Sequence, residues 1–156
     1  GNSHVAHDCK MGKSVLLANG ALLGGHVEIG HEVFIGGGAA LHQFVRVGDG
    51  AMLGGLAEIS ADVPPQITVA GRNLASGLNL IGLKRRGAKR EESAELKDLY
   101  RHFLSKPGNL KSRAEELLES SSVTKTELGL NFTKFFLSGD RNFARSRNLG
   151  KDKVTQ

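Results

Sequence analysis

Leu23-Gly24-Gly25-His26-Val27-Glu28, Ile29-Gly30-His31-Glu32-Val33-Phe34 and Ile35-Gly36-Gly37-Gly38-Ala39-Ala40 are three consecutive six-residue units cut to one pattern. Each opens on an aliphatic anchor, follows it with glycine, and places a small apolar residue four positions after the anchor. Working outward in both directions, the anchors are Val5, Met11, Leu17, Leu23, Ile29, Ile35, Leu41, Val47, Leu53 and Ile59. The residue after each anchor is Ala6, Gly12, Ala18, Gly24, Gly30, Gly36, His42, Gly48, Gly54 and Ser60, and only His42 is large. The fourth position carries Cys9, Val15, Ala21, Val27, Val33, Ala39, Val45, Ala51, Ala57 and Val63. A period of six matches neither an amphipathic helix nor a simple alternating strand, and marks a repeat architecture.

The physical reading is a parallel β-helix. Each hexad makes a short strand and a turn, with the anchor inside and its small neighbour letting the chain bend at a corner. Three hexads close a triangular coil of 18 residues, and coils stack at about the ~4.8 Å strand spacing. The pattern is already running at Val5 with no cap before it. Repeat arrays need capped ends, so further coils are expected N-terminal to Gly1. At the other end Val63-Pro64-Pro65 is expected to stop the pattern, because proline cannot donate to the ladder.

The remainder of the 156 residues has a different chemistry. Residues 1–81 hold 4 Lys and Arg against 6 Asp and Glu, and 15 of the 21 glycines; residues 82–156 hold 17 basic against 10 acidic side chains. A composition step of this kind divides the chain into a β-helix, 1–81, and a basic helical C-terminal domain, 82–156. Leu96, Leu99, Tyr100, Phe103 and Leu104 form one helical stripe, which Lys106-Pro107-Gly108 breaks. Leu110, Ala114, Leu117 and Leu118 form a second. Thr124 with Glu127 reads as a capping box opening a third stripe at Leu128, Phe132, Phe135 and Phe136. The aromatics read as core, and the tail from Arg145 to Gln156 reads as loose. The basic half is either a solvated helical surface or a patch for acidic partners. No apolar run approaches the roughly 20 residues of a membrane span. The single Cys9 excludes an internal disulfide framework, and no signal-peptide pattern opens the chain. Together these point to a cytoplasmic protein without stable membrane insertion.

Residues 18 apart lie above one another in this architecture. His7 falls under Gly25 and Gln43, Asp8 under His26 and Phe44, and Ala6 under Gly24 and His42. His7, Asp8, His26, His42 and Gln43 therefore gather along one edge, where small residues otherwise dominate. Imidazole can take a proton from a hydroxyl near neutral pH, and an adjacent carboxylate can hold its tautomer. Gly25, one coil away, offers an unobstructed backbone N–H suited to an oxyanion. The competing readings are surface histidines on a loop, and zinc held by histidines at subunit faces; His31 and His102 are assigned to the first of these.

His4-Val5-Ala6-His7-Asp8-Cys9, Leu23-Gly24-Gly25-His26-Val27, Leu41-His42-Gln43-Phe44, Asp62-Val63-Pro64-Pro65 and Asn79-Leu80-Ile81-Gly82-Leu83-Lys84-Arg85-Arg86-Gly87 are ordered and spaced as in a known family. On these motifs the chain resembles the UDP-N-acetylglucosamine O-acyltransferases of lipid A synthesis, over the C-terminal part of the family's length. The resemblance implies a left-handed β-helix and a homotrimer with sites in the clefts between subunits. It implies transfer of an (R)-3-hydroxyacyl chain from acyl carrier protein to the 3-hydroxyl of UDP-N-acetylglucosamine. His7 would be the general base, Asp8 its orienting partner, and the Gly25 N–H the oxyanion donor. His4 would touch the acyl group; His26, His42 and Gln43 would lie on the sugar nucleotide; Asn79, Arg85 and Arg86 would serve phosphate-bearing ligands. Gly55 occupies the family's acyl-chain ruler position, and a glycine there implies a long hydroxyacyl donor. No metal and no cofactor are implied beyond the phosphopantetheine of the carrier protein. The +7 half would steer that acidic carrier, and no nucleic-acid module is present. Ile81 departs from the family, which has an acidic residue there. The alternatives are a related hexapeptide N-acyl- or acetyltransferase, and an inactive trimeric fragment or scaffold.

Overall fold

The computed structural model describes residues 1–120 and 124–146. Ten two-residue strands come first: β1 (His4–Val5), β2 (Lys10–Met11), β3 (Leu16–Leu17), β4 (Leu22–Leu23), β5 (Glu28–Ile29), β6 (Phe34–Ile35), β7 (Ala40–Leu41), β8 (Arg46–Val47), β9 (Met52–Leu53) and β10 (Glu58–Ile59). They stack in parallel as three faces of a prism: β1-β4-β7-β10, β2-β5-β8 and β3-β6-β9. His4 pairs with Leu22 and Leu22 with Ala40, which sets the register at 18 residues per coil. This is a parallel β-helix. Its interior is the two columns read from the sequence, with Leu23, Val27, Val33, Ile35, Ala39 and Val45 all at most 1% exposed. In the first coil the anchors Val5 and Met11 are 37% and 47% exposed.

The corners are made differently from the sequence expectation. The bend falls three residues after each anchor from Val5 to Leu53, in the left-handed region: Asp8, Ser14, His26, Glu32, Phe44 and Leu56 have φ between 57° and 66°, and Gly20, Gly38 and Gly50 fill the same position elsewhere. The small residue directly after the anchor answers to a different constraint. A Cβ at Gly24 would lie 2.7 Å from the Gln43 nitrogen, and one at Gly36 2.5 Å from the Gly55 nitrogen. At these two glycines the backbone of the next coil passes too close for a side chain.

Pro64 and Pro65 do not end the ladder. Val63 bridges Val47 in parallel, and β11 (Ile67–Ala70) pairs in parallel with β9. The prolines occupy a corner, where no strand hydrogen bond is lost. The partner offset falls to 16 residues there, and the coil is closed by an antiparallel return, β12 (Leu74–Leu78) on β11.

Four helices follow among the described residues, one more than the stripes suggested: α1 (Leu80–Arg85), α2 (Arg90–Leu104), α3 (Leu110–Glu119) and α4 (Glu127–Phe135). The cap of α4 is Thr126 rather than Thr124, its hydroxyl accepting the Gly129 N–H at 3.0 Å. Phe103, Phe132 and Phe136 are buried at 1% exposure or less and pack ring on ring, Phe103 lying parallel to Phe136 at 4.5 Å. Arg145–Ser146, expected to be loose, form β13 beside β12; residues 147–156 lie outside the described part. No described helix is long and apolar enough to cross a membrane.

Arg46 joins the two halves. Its Nε donates to buried Asp62 at 2.9 Å, and its backbone N–H reaches the other carboxylate oxygen, also at 2.9 Å. Its Nη atoms donate to the Ser138 hydroxyl and carbonyl, and its guanidinium lies 4.3 Å from the Phe135 ring centre. This network seats the end of α4 on the β2-β5-β8 face.

Candidate active site

The corner between the β1-β4-β7-β10 face and the β2-β5-β8 face carries residues 6–8, 24–26 and 42–44. The 18-residue register brings His7, Asp8, His26 and Phe44 together here, through ladder bonds from His26 N–H to the His7 carbonyl and from Phe44 N–H to the Gly25 carbonyl, both 3.0 Å. His7 Nδ1 lies 3.0 Å from Asp8 Oδ2. An ionised carboxylate only accepts, so Nδ1 carries the proton of this bond, and in the neutral ring Nε2 is the acceptor. His26 Nε2 stands 3.8 Å from the same Asp8 oxygen. The hydrogen bond from His7, helped by the charge of His26, holds the Asp8 carboxyl below the usual carboxylate range.

The far side of the His7 ring meets backbone. A Cβ built on Gly25 would fall 2.8 Å from both Cε1 and Nε2 of His7. Only glycine lets the imidazole lie there. Among the described residues the Gly25 N–H has no acceptor. The Cε1–Nε2 edge of the ring therefore lies against the backbone of Gly25, whose N–H is unused, with the Asp8 carboxylate on the opposite side. His7, Asp8 and His26 also place ligand atoms within 4.8 Å of one another, near enough to share a cation instead of a proton. Beyond Asp8 and His26 a groove of about 510 Å³ runs along the β2-β5-β8 face, bordered by Phe44, Glu28 and Arg141.

A family model described as UDP-N-acetylglucosamine O-acyltransferase, domain 2, matches residues 62–144. The chain belongs to the UDP-N-acetylglucosamine O-acyltransferase family. Two relatives are named acyl-[acyl-carrier-protein]–UDP-N-acetylglucosamine O-acyltransferase. The one from Campylobacter concisus is 43% identical over 151 residues, 96% of this chain and 55% of the relative. The one from Aliarcobacter butzleri is 37% identical over 145 residues, 86% of this chain and 56% of the relative. The UDP-N-acetylglucosamine acyltransferase of Campylobacter jejuni superposes with a TM-score of 0.83 at 35% identity, covering 93% of this chain and 56% of that one. That of Francisella novicida gives 0.86 at 32%, covering 96% and 54%. The chain thus spans about half the length of the relatives it matches.

The other residues singled out in this family member are spread more widely. His4 is exposed on β1, in register with Leu22. His42 turns to Glu58, with Nε2 3.9 Å from Oε1, and among the described residues no hydrogen bond, ion pair or ring contact joins it to His7. Gln43 is held by its backbone, its carbonyl accepting from Arg141 Nη2 at 2.7 Å. Gly55 stands at the corner of residues 19, 37 and 55, where an added Cβ would meet only the Gly37 carbonyl, at 3.5 Å. Asn79 and Arg86 serve inside this chain at the remaining corner. Asn79 Oδ1 caps α1 through the Gly82 N–H, and its Nδ2 donates to the Gly50 carbonyl, both at 3.1 Å. Arg86 pairs with Glu32 at 3.1 Å and donates to buried Gln66 at 2.6 Å. Arg85 is exposed. Sequence reasoning placed Phe44 in the Asp8–His26 column but gave it no task. Nothing in the sequence announced Arg141, 98 residues from the carbonyl it holds.

Proposed function

We propose that this chain carries the catalytic corner of an acyltransferase that moves an (R)-3-hydroxyacyl chain from acyl carrier protein to the 3-hydroxyl of UDP-N-acetylglucosamine, the first step of lipid A synthesis. One observation carries the reading: the His7 ring turns Nδ1 to Asp8 and Nε2 to the backbone at Gly25. His7 Nε2 takes the proton of the sugar hydroxyl as its oxygen attacks the thioester carbonyl. The carboxylate of Asp8 stabilises the imidazolium that forms. The Gly25 N–H donates to the tetrahedral oxyanion. Collapse breaks the carbon–sulfur bond, and the departing phosphopantetheine thiolate takes the proton back from His7. No cofactor beyond the carrier's phosphopantetheine is called for.

Around this centre His4 meets the acyl group, while His26, His42 and Gln43 lie on the sugar nucleotide. With Asn79 and Arg86 engaged inside the chain, Arg85 is the free guanidinium for a phosphate, and Asn79 and Arg86 set its helix in place. The coils wind left-handed, and residues 82–156 form a basic helical C-terminal domain that steers the acidic carrier. A homotrimer in the cytoplasm is the working assembly. Leu16, Leu22, Met52 and Leu56 support it, exposed on and around the corner of residues 19, 37 and 55, where a second copy would cover them. The test is acyl transfer to UDP-N-acetylglucosamine from a ladder of hydroxyacyl carrier proteins, read by product mass, with His7→Ala in parallel. A product that needs His7 is expected. Equal product from His7→Ala would overturn the assignment of the base, and no product from the unaltered chain would overturn its competence as an enzyme on its own.

A further inference from the structure

Phe44 is a large aromatic side chain in an unfavourable place. It is 54% exposed, so the core does not need it. Its φ of 66° is one that bulky L-residues avoid. Glycine fills the equivalent corner position at Gly20, Gly38 and Gly50, and Leu56 is the one other large apolar residue held there. The Phe44 ring lies flat on the imidazole of His26, 4.7 Å between centres and 4° between planes. On the other side His7 meets His26 edge-on, at 5.1 Å and 88°. Among the described residues His26 has no side-chain hydrogen bond; its nearest polar partner is Asp8 Oδ2 at 3.8 Å, beyond hydrogen-bond reach. Ring contacts therefore set the orientation of this imidazole. The Phe44 backbone is itself held on both sides, by its N–H on the Gly25 carbonyl at 3.0 Å and by Arg141 on the Gln43 carbonyl at 2.7 Å.

We propose that Phe44 is a positioning residue: its ring face fixes the plane of His26, so that the imidazole meets the sugar nucleotide in one orientation. The role of His26 toward that substrate rests on the function proposed above; the stack itself does not. A branched aliphatic side chain of similar bulk fills the corner but offers no flat face, whereas tyrosine keeps the face.

The test compares Phe44→Leu with Phe44→Tyr in the full chain by two readouts. The first is the proton chemical shift of the His26 ring, assigned with His26→Gln, which the Phe44 ring current displaces upfield. The second is the separate measurement of KM for UDP-N-acetylglucosamine and of kcat. Phe44→Leu is expected to return the His26 shifts toward free imidazole and to raise KM by about three- to tenfold, the scale of a lost aromatic pair, with kcat changed less. Phe44→Tyr is expected to keep both near those of the unaltered chain. Unmoved shifts in Phe44→Leu would overturn the proposal, as would moved shifts with KM and kcat both unchanged. A Phe44→Tyr variant indistinguishable from Phe44→Leu would overturn it too, since the flat face would then not matter. If the unaltered chain turns over no substrate, its competence as an enzyme on its own fails, and the shifts still decide whether Phe44 orients His26.

Discussion

Replacing Gly25 with alanine should separate stability from activity. The backbone of Gly25 is not among the positive-φ glycines, so alanine meets no conformational strain. Removing a glycine from the unfolded chain then stabilises by about 0.4–1 kcal/mol. The new methyl would sit 2.8 Å from His7 Cε1 and Nε2, and ordinary contact begins at 3.4 Å, so the ring must withdraw by about 0.6 Å. That withdrawal is easy, because the His7 side chain is 74% exposed and among the described residues is held by its bond to Asp8 and an edge contact with His26. The catalytic geometry should suffer instead. A misplacement on the order of 1 Å costs about 10²-fold in rate, so a loss between roughly 10- and 100-fold is expected. Denaturant unfolding would give the stability, and kcat at saturating donor the activity. Activity within twofold of the unaltered chain would refute the placement of the His7 lone pair against the Gly25 backbone. A variant that failed to fold would refute the claim that the only obstacle is a mobile ring.

Arg46→Met leaves the Asp62 carboxylate buried at 1% exposure without its cation, and should cost about 3–5 kcal/mol in denaturant unfolding; Arg46→Met with Asp62→Leu should recover part of that loss. Gly55→Met places a Cβ in ordinary contact with the Gly37 carbonyl, at 3.5 Å, and should shift donor preference toward shorter hydroxyacyl chains in a competition assay without lowering the stability of the single chain. Asp8 should titrate by carboxyl carbon NMR below the ordinary carboxylate value of about 3.9, and His7→Ala should move it back up, since the His7 hydrogen bond is the main cause. Because the folded value is the lower one, the stability this pair contributes is complete above the unfolded value. It is lost as pH falls through the folded one.

Much of the candidate site could be read as arithmetic. Asp8, His26 and Phe44 are 18 residues apart, and a regular coil has no choice but to stack them. The arithmetic fixes where a backbone position falls, not which way its side chain turns, and it weakens further where the coil departs from its period. His42 was placed beside His7 by register, yet its side chain turns toward Glu58 on the neighbouring face. Pro64 and Pro65 looked like a terminus because their missing donors would break a strand; they stand at a corner, and the ladder runs on through β11.

The hexads by themselves determined the parallel β-helix, its interior and the edge on which His7, Asp8 and His26 meet. The repeat states the fold and its interior ten times over, and the same period then places His7, Asp8 and His26 on one edge. Only the tertiary structure decided which faces the helices cover, that Arg46 and Arg141 reach from one half to the other, and that Asn79 and Arg86 are spent on bracing α1. Each of those contacts occurs once, between residues from about 20 to nearly 100 positions apart. A contact made once leaves no period in the sequence. It exists only when the helical core has packed and brought the two surfaces within hydrogen-bond reach.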